Sequence, residues 1–158
     1  MSDQALTDET LKDRAIRQAL AGNVTGARQT IERMVDRRYL RDVWWAILCM
    51  QKDRGDVEGV KDTIVSCPDQ SLLVCHEYRE LPLAFARAGH VAGAIEIAKA
   101  MESSGMLPLL MIPLILMNNG DFVGARGAVS HIDEEACRIM MMNFVDQCQR
   151  KGTSPEES

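Results

Sequence analysis

The stretch Gly89-His90-Val91-Ala92-Gly93-Ala94 decides the fold, because its pattern recurs as GNVTGA at 22–27, GDVEGV at 55–60 and GDFVGA at 120–125. The leading glycines stand 33, 34 and 31 residues apart, a period that marks stacked helical hairpins rather than one closed core. Gly22, Gly55, Gly89 and Gly120 suit the left-handed conformation that ends a helix, which costs other residues more. Asn23, Asp56 and Asp121 follow as short polar side chains able to cap the next helix, whereas His90 is a poorer cap. Val24, Val57, Val91 and Phe122 are expected to turn an apolar group back between the two helices. Gly26, Gly59, Gly93 and Gly124 lie one turn inside the second helix, where glycine costs about 0.5–1 kcal/mol relative to alanine. Four copies accepting that cost predict a close backbone crossing there, beside the small residues Ala27, Val60, Ala94 and Ala125.

Working outward, the periodic segments predict a first helix from Thr7 to about Ala21 and its partner from Val24 to Arg37. A second hairpin is expected from near Leu40 to Arg54, returning over Val57–Cys67 and ending at Pro68. Asp69 is read as the cap of a third first helix carrying Leu72, Leu73, Cys75 and Tyr78, and the return helices are placed at Val91–Ser103 and Phe122–Ser130. Pro82 and Pro113 both fall seven residues before their turn glycine, so those helices must either kink or start late with the proline in the first turn. Asp133, Glu134 and Glu135 open a last helix to about Gln149, with Ala136, Ile139, Met140, Phe144 and Cys148 on its apolar face. Residues 1–6 and 151–158 read as disordered, which leaves 7–150 as one repeat domain. The expected fold is all-α, a right-handed α-solenoid of about four helix-turn-helix repeats closed by a C-terminal capping helix.

Composition narrows the function. Of 158 residues 46% are hydrophobic and only 4% aromatic, and the net charge is −5; such a balance argues against a general binder of phosphate backbones. Five cysteines without paired or metal-type spacing fit free thiols in a reducing compartment, and the acidic start MSDQALTDET resembles no leader peptide. A cytoplasmic location is expected. The longest apolar run, Met106 to Met117, is interrupted by prolines and falls short of the roughly 18 residues a membrane span needs. Catalysis finds no constellation: His76, His90 and His131 lie in different hairpins, and Cys75 and His76 point about 100° apart on a helix. No cofactor or metal is expected. A Cu(I) site from Cys137, His131 and the methionines lacks a ligand spacing.

The stretch Leu83 to Pro108, with Gly89, Ala94, Met101, Gly105 and Pro108 in order, resembles a pentatricopeptide repeat, and the G-D-x-x-x-A turn is shared with tetratricopeptide repeats. Trp44 and Tyr78, eleven residues before their turn glycines, match the aromatic both families place early in the first helix; Leu11 and Leu109 replace it in the outer copies. The resemblance covers about residues 7–132. On the pentatricopeptide side it implies reading of single-stranded RNA through a small polar residue ten before the glycine, but Lys12, Trp45, Arg79 and Leu110 occupy those places. On the tetratricopeptide side it implies a protein or peptide partner held along the first helices.

Residues ten, six and three before each glycine share one side of their helix. They are Lys12, Ile16 and Ala19; Trp45, Cys49 and Lys52; Arg79, Leu83 and Ala86; and Leu110, Leu114 and Met117. This graded face, basic and aromatic first and wholly apolar last, suits a partner helix or peptide with an acidic and an apolar end. Each member also has a plainer reading: Trp45 as half-buried beside Trp44, and Lys12, Lys52 and Arg79 as solvated. The methionines Met106, Met111, Met117 and Met140 to Met142 serve either an adaptable surface or packing against the cap helix. The function expected is a non-catalytic adapter, scaffold or chaperone, with a structural subunit of a homo-oligomer or larger complex as the alternative and RNA binding behind both.

Overall fold

The computed structural model describes residues 7–69, 71, 76–101 and 106–152, and these form helices without strands. The elements are α1 (Asp8–Leu20), α2 (Val24–Ile31), α3 (Arg37–Asp53), α4 (Val57–Ser66), α5 (His76–Arg87), α6 (Val91–Ala100), α7 (Met106–Asn118), α8 (Phe122–Val129) and α9 (Glu135–Lys151). The chain divides into two compact units, residues 1–74 and 75–158. In the first, α1 packs on α2 and α3, and α3 on α4 and α2. In the second, α5 packs on α6 and α7, α6 on α7, α7 on α8, and α9 lies on α8 and α7.

The four repeated turns share one geometry. Gly22, Gly55, Gly89 and Gly120 have φ of 83°, 67°, 88° and 78°. Each glycine N–H donates three residues back, at 2.8–3.0 Å, and the next N–H donates five back, at 2.8–2.9 Å, as in Gly22 to Ala19 and Asn23 to Gln18. That pair of bonds is the Schellman closure, which satisfies carbonyls a helix end would otherwise leave open. The following helix is then capped: Asn23, Asp56 and Asp121 accept from the N–H of Gly26, Gly59 and Gly124 at 2.9, 2.9 and 2.7 Å. His90 has the same backbone angles but gives no side-chain cap.

In the three turns with an Asn or Asp cap, the second glycine has a different cause from the expected backbone crossing. A Cβ at Gly26 would stand 2.5 Å from Asn23 Nδ2; at Gly59 and Gly124 it would strike the capping carboxylates of Asp56 and Asp121, and at Gly59 also Gln51 Nε2 at 2.8 Å. The glycine therefore makes room for the cap itself. Ala27, Val60, Ala94 and Ala125 are completely buried just beyond, and Val24, Val57, Val91 and Phe122 are half-buried.

Leu11, Trp44, Tyr78 and Leu109, the residues eleven before each glycine, all lie in the core. Pro82 and Pro113 are buried inside α5 and α7, so the late-start alternative falls; neither proline can donate to the carbonyl four residues earlier. α2 ends at Ile31, short of the expected Arg37. Arg33 and Met34 N–H turn back to Thr30 and Ile31, and Asp8 takes the N–H of Val35 and Asp36 at 3.1 and 2.6 Å. Asp36 then caps α3, which begins three residues before the expected Leu40. α6 ends at Ala100, short of the expected Ser103, with Met101 as its C-cap; the proposed run over Leu72, Leu73 and Cys75 and the termini 1–6 and 153–158 lie outside the described residues.

α9 starts behind Glu134 and runs to Lys151. Its buried line is Met141, Val145 and Cys148; Ala136 is exposed, and Ile139 and Met140 are 53% and 61% exposed, which corrects the expected apolar face.

Candidate functional site

The expected first-helix face divides between the units. In the first, Lys12, Ile16, Trp45, Cys49 and Lys52 are all half-buried at the margin of the core. Lys12 Nζ lies 5.1 Å from the centre of the Tyr39 ring and 3.7 Å from the Asp13 carboxylate, and Lys52 pairs with Asp53 at 3.3 Å. In the second, Arg79 is exposed and Leu110 and Leu114 are half-buried. Leu83 and Met117 are only 4% and 1% exposed. These two are core residues with almost no surface for a partner, a correction to the expected face. Ala19 and Ala86 are buried likewise.

A cleft of about 480 Å³ lies elsewhere in the first unit, lined by Arg28, Ile31, Glu32, Met34, Leu40, Trp44, Ser66 and Pro68. Ile31, Met34, Leu40 and Trp44 form its apolar floor. Trp44 is 4% exposed, Ile31 and Met34 are 7% exposed and Leu40 is half-buried, while Glu32, Ser66 and Pro68 stand exposed around it. The cleft exists because α2 stops at Ile31 and the following turn carries the chain to the Asp36 cap of α3.

Arg28, half-buried on α2, is the cation of the cleft. Its Nη2 donates to Thr63 Oγ1 at 2.9 Å and its Nη1 reaches Ser66 Oγ at 3.4 Å. Thr63 in turn donates to Gln51 Oε1 at 2.9 Å, with both residues buried. The guanidinium carbon sits 5.9 Å from the Trp44 ring centre, within cation–π range. Arg28 Nε and Trp44 Nε1 are both buried without a hydrogen-bond acceptor among the described residues. In the sequence between the lining residues Ser66 and Pro68, burial pushes the Cys67 thiol above its ordinary range, so at neutral pH it stays protonated.

The arrangement can hold an apolar group and offer it N–H donors. It contains no nucleophile paired with a base, and among the described residues no three His, Cys, Asp or Glu side chains gather as metal ligands. No described helix is long and apolar enough to cross a membrane. Sequence reading missed Arg28 and took Trp44 only as the aromatic of the repeat; the signal present in the sequence was a basic residue six positions after the turn glycine, repeated as Lys61 and Arg126. Comparison with protein-family models, curated proteins and solved structures gives no match for this chain.

Proposed function

We propose that this chain is a non-catalytic protein-interaction module, a tetratricopeptide-like right-handed α-solenoid acting as adapter, scaffold or chaperone for a partner helix or peptide. The observation that carries this reading is the cleft of the first unit, where two successive hairpins leave an apolar floor beside a half-buried arginine. Its volume falls in the range of about 300–1,000 Å³ typical of ligand sites. The half-buried margin of Lys12, Ile16, Trp45, Cys49 and Lys52 supplies a second surface on the first helices, with Arg79, Leu110 and Leu114 in the other unit.

A crosslinking pull-down from native lysate, followed by reconstitution with the purified partner, tests the reading. Wild type is compared with Arg28→Glu in the cleft and Trp45→Ala/Arg79→Glu on the first helices. The expected result is one partner that binds wild type directly and is lost in the cleft variant. Retention in both variants removes the module from these surfaces, and RNA in the eluate would move the reading to nucleic acid. A structural subunit is the second reading, favoured by the exposed Ile139 and Met140 on α9. Sedimentation that shows self-association, abolished by Ile139→Glu/Met140→Glu, would support it.

A further inference from the structure

We infer that the cleft of the first unit receives a peptide segment in which a bulky apolar side chain neighbours a single carboxylate, with Arg28 taking the carboxylate. The inference rests on the interaction-module reading and adds the chemistry of the partner. Its basis is an arginine whose repeat equivalent is neutralised while it is not. Arg28 and Arg126 both stand six residues after their turn glycine, one turn inside the second helix of the first and fourth hairpins. Arg126 donates through Nε to Asp146 Oδ1 at 3.0 Å, pairs with the same carboxylate through Nη2 at 2.9 Å, and also reaches Gln149. The hydrogen bonds of Arg28 go only to hydroxyls, of Thr63 and Ser66, and among the described residues no carboxylate comes within ion-pairing distance of it.

A guanidinium presents five donors in a fixed fork that matches a carboxylate. Half-buried, it is partly shielded from the water that would otherwise solvate it, so an incoming anion gains more here than at an open surface. The weaker of its two bonds, the 3.4 Å contact with exposed Ser66, is the one a carboxylate would displace. The Thr63–Gln51 chain and the Trp44 ring remain to hold the group in place.

The rest of the cleft sets the neighbouring chemistry. Ile31, Met34, Leu40 and the Trp44 ring ask for an apolar side chain. The Trp44 N–H lacks an acceptor, and a backbone carbonyl of the same segment would supply one after a small shift of the ring. Glu32, exposed in the lining four residues after Arg28, repels a dense run of acids or a phosphate and so selects one carboxylate. The exposed rim at Glu32, Ser66 and Pro68 lets a longer chain enter and leave, which fits a peptide.

Short peptides test this without a known partner. The full ¹⁵N-labelled chain is titrated with acetyl-Ser-Leu-Asp-Leu-Ser-amide, with its Asn counterpart and with a version carrying Ala for Leu, following the indole N–H resonances of Trp44 and Trp45 after assignment with Trp45→Phe. The Asp peptide should move the Trp44 resonance and leave Trp45 nearly still. Its affinity should fall by about five-fold or more for the Asn peptide, for the Ala peptide and in Arg28→Gln, and partly recover in Arg28→Lys. Glu32→Gln, which leaves Arg28 in place, should tighten binding by about two-fold. No movement of Trp44, or equal movement by the Asp and Asn peptides, overturns the inference. If the peptides fail while a purified partner still binds in an Arg28-dependent way, the carboxylate chemistry falls and the module reading survives; failure of both removes the module reading as well.

Discussion

The two units solve the same interior position in opposite ways. Four residues before the turn glycine and eight after it, the first unit places Gln18 opposite Thr30 and Gln51 opposite Thr63, joined at 2.8 and 2.9 Å. The second unit places Phe85 and Ile97, then Leu116 and Ala128, at those positions, all buried. The turns around them are the same. Turn geometry therefore does not dictate what fills the hairpin; either a satisfied polar pair or an apolar pair serves, provided both members agree. The polar solution has a further effect, because Thr63 is also the acceptor that positions Arg28.

Breaking the apolar solution should cost most. Phe85→Ala, at a residue only 3% exposed, should destabilise the protein by about 3–5 kcal/mol in urea unfolding, from lost transfer energy and the cavity left behind. Breaking one half of the polar solution comes next. Thr63→Val strands the buried Gln51 and removes an acceptor from Arg28, so about 1–3 kcal/mol should be lost. The double change Gln51→Leu/Thr63→Val makes the second hairpin resemble those of the other unit and should recover most of that loss. A double-mutant cycle showing simple additivity would mean the pair is not coupled.

A smaller effect sharpens the comparison from the turns. His90→Asp should add the cap that the other three copies possess, raising stability by about 0.5–2 kcal/mol, seen as a higher midpoint in thermal unfolding. Asp121→Ala should lower it by a similar amount. The smallest effect is an acid one: the Arg38 side chain and N–H hold the half-buried Asp36 carboxyl below its ordinary value of 3.8. A depressed carboxyl stabilises above the unfolded value, and this is lost as pH falls through the lower folded value. Stability of Asp36→Asn relative to wild type, measured from pH 5 down to pH 2, should show the wild-type advantage shrinking only below about 3.8.

The hairpins were legible because their signals are local: a glycine that must take positive φ and an Asn or Asp three residues before the N–H it caps. The apolar face of α9 was not. The line Ala136, Met140, Phe144, Cys148 steps by four, and each such step drifts about 40° around a helix of 3.6 residues per turn. It begins on the outer surface and ends in the core. The cleft was hidden for another reason. The apolar face of Ala27, Ile31 and Met34 carried the expected helix on to Arg37, but Asp8 of another helix captures the N–H of Val35 and Asp36, and that long-range bond helps set where the chain turns. Leu83 and Met117 were placed on the open face because one register was applied to every hairpin, whereas packing buries those two.

The Gln–Thr couples have one more consequence. Each is closed inside its own hairpin, Gln18 with Thr30 and Gln51 with Thr63, so a hairpin lifted out as a block carries both partners with it. Those two hairpins are in that respect interchangeable cassettes: duplicating the stretch from Asp36 to Pro68 would introduce no orphaned amide or hydroxyl at this layer. A crossover between Gln51 and Thr63 with a hairpin of the second unit would set a polar member against an apolar one, which makes the turn at Gly55 the wrong point for that recombination and the loop before Asp36 a better one.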